Sequence, residues 1–222
     1  MSTMSPCARQ VLDSILREGP QTTRSLIARY GPKPNWQALL SPGCLVEHHT
    51  SYGRVIGPSR QLCDLDATMP HLVAPSSAAD RAYQQDAIRL LKTQGYVFTR
   101  REYKRSGLRG KVHRTDQATR IHMRAPEADH TWPPPTRENE RCEGYPYLYA
   151  SISGGGIKEA QIRRLLKLHD WDIQCWAHPL IVAVPDAGAL RHYHRHLLAH
   201  SKLDFSEGPL KLIELPLPTE GL

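Results

Sequence analysis

Apolar residues along this chain recur first at helical and later at strand spacing. In PCARQVLDSILRE, residues 6–18, Ala8, Val11, Leu12, Ile15 and Leu16 fall on one side of a 3.6-residue turn. Pro6 suits a first turn and Gly19-Pro20 a stop, so a helix is predicted there. Thr22-Thr23 supplies an N-cap for TRSLIARYG, with Leu26, Ile27 and Tyr30 expected inward and Gly31-Pro32 ending the element. A third helical segment is expected in WQALLSPG, with Trp36, Leu39 and Leu40 as its apolar side. CLVEHHTSYGRVIGP then reads as two short strands, 44–48 and 54–57, around a turn at Ser51-Tyr52-Gly53.

Residues 61–77 mix Pro, Ser and Asp without a period and read as a linker between a module at 1–60 and an α/β domain at 78–216. Ser77 caps a predicted helix over 78–94, with Ala82, Ala87, Ile88, Leu90 and Leu91 inward and Gly95 as its stop. Strands are expected at 96–103, 120–124, 147–152, 180–184 and 210–215, and helices at 157–169 and 187–200. The run LIVAV at 180–184 is continuous and β-branched, which marks a buried central strand. The expected fold class is therefore α/β in the broad, α+β sense. The acidic, proline-rich stretch 125–144 reads as an exposed loop.

Charge sharpens this outline. The 222 residues carry a formal net charge of +7. The block 96–124 alone has nine bases and two acids, also +7, whereas residues 145–222 balance eight bases with eight acids. The nine bases are Arg100, Arg101, Lys104, Arg105, Arg109, Lys111, Arg114, Arg120 and Arg124, interleaved with Tyr96, Phe98 and Tyr103. A polyanion is the partner such a segment suits, because each neutralised phosphate releases condensed counterions. No stretch approaches the roughly 18 apolar residues of a membrane span and the N-terminus lacks a secretory apolar run, so a cytoplasmic, nucleoid-associated protein is expected. Five cysteines without a C-x-x-C pair give neither a disulfide framework nor a structural zinc site.

Three short helices followed by a two-stranded hairpin resemble a winged helix-turn-helix domain over residues 5–60. That resemblance implies DNA contacts from Lys33, Asn35, Trp36, Gln37 and Ser41 on or near the recognition helix. It also implies contacts from His48, His49, Tyr52 and Arg54 on the wing. The later order helix, strand, strand, strand, helix, strand, helix resembles the restriction-endonuclease-like fold. It is similar in particular to the C-terminal part of plasmid replication-relaxation proteins, which also begin with a winged helix. A nuclease of that fold needs carboxylates at strand ends to hold a divalent ion, and the strand at 147–152 has none. The resemblance is therefore to a catalytically degenerate form, with no metal and no cofactor expected. Asp129, Glu138, Glu140 and Glu143 upstream are the carboxylates through which a metal-dependent nuclease stays open as an alternative.

The remaining motifs add little chemistry. SGGGIK at 153–158 lacks both the G-x-G-x-x-G and the G-x-x-x-x-G-K-[ST] patterns, leaving a tight turn or one backbone-phosphate contact at a helix start. His192, His196 and His200 recur every four residues, but Tyr193 stands where a zinc protease has Glu, and a solvated face is expected. No serine sits in a G-x-S-x-G elbow, and Cys175 near His178 has no evident third partner. The expected function is DNA binding without catalysis, in transcription regulation, plasmid replication or DNA repair. Double-stranded DNA is the expected partner, and the C-terminal domain is a scaffold or homodimerisation platform. A protein-interaction adaptor is the third reading.

Overall fold

A computed structural model of the chain describes residues 4–40, 43–65, 75–102, 120–124, 147–152, 155–168, 179–200 and 209–217; at 97–102 and 120–124 it describes the backbone course. The chain forms two compact units, Met1–Asp86 with Ile152–Gly154 and Leu217–Leu222, and Ala87–Ser151 with Gly155–Pro216.

In the first unit, helix α1 (Pro6–Glu18) starts where the Ser5 hydroxyl accepts from the Ala8 N–H at 3.1 Å and Pro6 needs no amide partner. It stops at Gly19, whose φ of +92° favours glycine. A two-residue strand, β1 (Gln21–Thr22), leads into α2 (Thr23–Tyr30), capped by the Thr22 hydroxyl on the Ser25 N–H at 3.1 Å. Strands β2 (Leu45–Thr50) and β3 (Gly53–Pro58) pair antiparallel, and β1 joins the far side of β3 to give the order β1-β3-β2. Ala8, Val11, Ile15, Leu26, Trp36, Leu39, Leu45 and Ile56 close the core between helices and hairpin. Each large side chain so buried contributes about 1.5–3 kcal/mol from water exclusion.

The expected third helix is not an α-helix. Lys33–Asn35 and Gln37–Leu39 are two single 3₁₀ turns, separated at Trp36 where φ is −135°. Their bonds run from Trp36 N–H to the Lys33 carbonyl (3.1 Å) and from Leu40 N–H to the Gln37 carbonyl (3.0 Å), one residue tighter than in an α-helix. Pro32 and Pro34 donate no amide bond, and Pro42 follows too soon for a helical nucleus to propagate. Trp36 and Leu39 are buried as expected, since a three-residue spacing serves either helix type. Ile27, expected inward, is 42% exposed.

The unit boundary also differs from the expected one. α3 (Arg60–Leu65) runs from the end of the expected module into the expected linker, and the division falls after Asp86, within α4 (Pro75–Thr93). Residues 78–86 therefore belong to the N-terminal unit. The Tyr83 ring meets that of Tyr52 edge to face at 5.2 Å, the Tyr52 hydroxyl donates to Asp86 at 2.9 Å, and the Gln85 amide donates to the Glu18 carbonyl.

The second unit holds β4 (Val97–Glu102), β5 (Arg120–Arg124), β6 (Tyr147–Ala150), α5 (Glu159–Leu168), β7 (Leu180–Val184), α6 (Arg191–His200) and β8 (Leu210–Glu214). Its sheet order is β4-β5-β6-β7-β8. The first three strands pair antiparallel; β6, β7 and β8 pair parallel, joined through α5 and α6 as parallel strands require. All five residues of β7 are buried, as the LIVAV run predicts. On one sheet face, Tyr149, Leu180, Val182, Val184 and Leu210 pack with Ile162 of α5, and Tyr193 and Leu197 of α6 lie against the same cluster. Lys211 alternates away from that cluster and donates to the Tyr96 hydroxyl at 3.3 Å. The mixed helix-and-strand class expected from the sequence is what the chain adopts.

Candidate nucleic-acid interface

The hairpin register fixes which side chains share a face. Leu45, Glu47 and His49 alternate with Val46, His48 and Thr50, and face Pro58, Ile56 and Arg54 across the ladder. The first set begins in the core at Leu45 and Ile56 and ends in the exposed cross-strand pair His49 and Arg54. Arg54 makes no hydrogen bond or ion pair to a described residue, so its charge is available. Lys33 differs: its ammonium lies 2.8 and 2.9 Å from the two Glu47 carboxylate oxygens, with both side chains mostly covered. Its charge is offset locally by that carboxylate. Asn35 and Gln37 are exposed, but on separate 3₁₀ turns and not along one recognition helix.

The hairpin turn is anchored within its own unit. Tyr52, expected at the tip of a wing, is 3% exposed and held by Tyr83 and Asp86 of α4. His48 is half-buried, its Nε2 without a hydrogen-bond partner among the described residues, and burial pulls its pKa below the usual value so that the neutral ring is favoured. Tyr83 is fully buried, and burial pushes its phenol well up. These groups pack within their own unit.

In the second unit the backbone places Arg100 and Arg101 on β4, opposite His122 and Ile121 of β5. A register shift between Phe98 and Arg100 makes room for Thr99. Arg120 pairs with Glu102 and Arg124 with Val97, so one antiparallel ladder carries four arginines. The charge count already pointed to Arg120 and Arg124, and the pairing shows why they belong with the other two. Lys104, Arg105, Arg109, Lys111 and Arg114 lie outside the described residues, as do Ser41, Asp129, Glu138, Glu140 and Glu143.

Gly155 and Gly156 lie in a turn. Gly155 and Gly156 both have φ of +82°, and a Cβ on Gly156 would stand 3.3 Å from Pro185 Cδ and 3.5 Å from the Ser151 carbonyl. The close approach is to the start of the β7 exit, where Asp186 accepts from the Gly188 N–H at 2.6 Å. Ahead of α5, the Lys158 N–H donates to the Gln161 side chain and the Lys158 ammonium to the Gly155 carbonyl, each at 2.8 Å. Local groups thus satisfy this corner. His192 and His196 are exposed, and His194 Nε2 lies 2.7 Å from the Leu210 carbonyl. Among the described residues no three His, Cys, Asp or Glu side chains gather to hold a metal ion, and no helix is long and apolar enough to cross a membrane. No protein-family model matches the chain, nor does any curated protein or solved structure.

Proposed function

We propose that this chain binds double-stranded DNA without acting on it chemically, holding the phosphate backbone through the basic segment at 96–124 with the N-terminal module alongside. The observation that carries the proposal is the charge of that segment, +7 over 29 residues, whose flanks at 97–102 and 120–124 form one antiparallel ladder. Concentrated cations on a paired scaffold supply sequence-independent affinity through counterion release. The winged-helix reading of the first unit is supported by its order of α1, β1, α2, turns, β2 and β3 and by its sheet order β1-β3-β2. Two 3₁₀ turns offer too short a surface to follow a major groove, so the mode proposed is backbone contact and not base reading. Such a protein suits transcription regulation, plasmid replication or DNA repair.

The test is duplex affinity over a salt series. Nine cations, if all were engaged, would give a log–log slope of about −8, at about 0.9 per phosphate on B-DNA. Changing Arg100, Arg101, Lys104 and Arg105 together to Ala is expected to remove about 3 to 4 from that slope and to abolish binding near physiological salt. Affinity indifferent to salt defeats the proposal. The C-terminal strand order, antiparallel and then parallel through helices, keeps a metal-dependent nuclease as the second reading. Magnesium-dependent cleavage lost on Asp129→Ala or Glu140→Ala would put that reading first.

A further inference from the structure

The sheet of the first unit, β1-β3-β2, ends on one side at β2, and the hairpin fixes which backbone groups of that strand are engaged. A two-residue turn closes on Thr50 and Gly53, and past the far end the Ser59 N–H donates to the Cys44 carbonyl at 3.0 Å. Alternate residues of an antiparallel ladder bond the neighbouring strand, so Cys44, Val46, His48 and Thr50 turn their backbone toward β3. Leu45, Glu47 and His49 turn theirs the other way, and those N–H and C=O groups have no partner among the described residues. Pro58, opposite Leu45, fits the same parity, because that position asks no N–H of it. The edge runs over six residues without a register shift, a proline or a lysine, the devices that commonly block one. An edge of the second unit is treated differently: the Leu210 carbonyl, which turns away from β7, lies 2.7 Å from His194 Nε2 of α6. Val46, 36% exposed, sits on the open strand.

We propose that the open edge of β2 pairs antiparallel with the same strand of a second copy across a two-fold axis, joining two three-stranded sheets into one. The strand's own sequence names this occupant and its register. An axis normal to the sheet sets residues of equal parity opposite one another, with bonds between the outward-turned ones. Glu47 against Glu47 would bring two carboxylates into cross-strand contact, and His49 against His49 would leave a single bonded pair. Leu45 against Glu47 offers no polar match. Glu47 against His49 gives two bonded pairs and twice sets a carboxylate beside an imidazole N–H that can donate to it. Glu47 does this while keeping Lys33, since its two oxygens offer about four lone-pair sites. In this register His48 meets His48 at the axis, and Thr50 of the second copy covers Val46. The inference does not depend on the chain's binding DNA.

Sedimentation equilibrium of the full chain is expected to show a reversible dimer with a dissociation constant of about 1–100 µM, as suits a short strand interface. His49→Pro removes an outward N–H and leaves the bonds to β3 intact; it is expected to weaken the dimer about tenfold or more with the circular dichroism unchanged. His49→Glu, which sets carboxylate against carboxylate, is expected to weaken it likewise, whereas His49→Lys holds the dimer at least as tightly as the parent. Oxidative cross-linking reads the register. The His48→Cys chain is expected to give a reducible covalent dimer beyond any that the parent's own cysteines form, and the Val46→Cys chain, whose new thiol faces Thr50 of the second copy, is not. A parent monomeric throughout that range, or a dimer indifferent to both His49→Pro and His49→Glu, overturns the inference. So does cross-linking of the Val46→Cys chain without that of the His48→Cys chain. Each of these results leaves the DNA-binding reading standing.

Discussion

Tyr52 provides the strongest single test of how the hairpin is used. Its ring is 3% exposed and edge-on to Tyr83 at 5.2 Å, and its hydroxyl donates to the Asp86 carboxylate at 2.9 Å. Tyr52→Phe keeps the ring and removes a hydrogen bond to a charged acceptor, worth about 1.5 kcal/mol for a site that is partly wet. Tyr52→Ala also removes the ring and its aromatic partner, for about 3–5 kcal/mol in all. A unit of this size has on the order of 4–13 kcal/mol of stability, so the second change takes about a quarter of it or more. Urea unfolding followed by tryptophan fluorescence is the assay. With a urea dependence of about 1–3 kcal/mol per molar, Tyr52→Phe is expected to lower the midpoint by about 0.5–1.5 M. Duplex affinity of the folded Tyr52→Phe protein is expected to stay at the parent value. An unmoved midpoint, or lost affinity at parental stability, would show that the turn is a contact and not an anchor.

Three further outcomes follow from the geometry. Gly156→Ala forces a side chain into a left-handed backbone position 3.3 Å from Pro185, and is expected to cost about 1–3 kcal/mol in thermal or urea unfolding. His48 is favoured neutral by burial, so the unfolded chain binds its proton more readily; its contribution is complete above about pH 6.5 and declines as pH falls below that through the lower folded value. Thermal midpoints are thus expected to fall between pH 7.5 and 5.5, less steeply in His48→Gln. Because Glu47 already neutralises Lys33, Lys33→Ala is expected to change duplex affinity by less than about twofold, whereas Glu47→Gln, which releases that charge, raises it.

What the sequence made legible followed from strong local rules. Helices α1 and α2 announce themselves through Pro6, Thr22, Gly19 and Gly31, each a residue whose backbone or side chain satisfies a helix end. The β7 run is legible because a strand covered on both faces needs no alternation. Strand β1 escapes because two residues carry no period, and its pairing with β3 is a tertiary fact. The 3₁₀ turns escape because Trp36 and Leu39 fit either helix type, and only the proline spacing separates them. The fate of Lys33 depends on a partner fourteen residues away, and that of Tyr52 on one thirty-four away, distances at which pattern reading is blind.

The chain passes between its two units four times, after Asp86, Ser151, Gly154 and Pro216. Neither unit can therefore be lifted out with one cut, and a fragment ending at residue 60 would leave Tyr52 without Tyr83 and Glu18 without Gln85. On the ribosome the amino-terminal unit must wait for Ile152 to emerge, and for its N–H to find the Asp80 carboxylate at 2.7 Å, before its architecture is complete. Its maturation is thereby coupled to synthesis of about half of the second unit, an order opposite to the usual one in which the first domain made is the first finished.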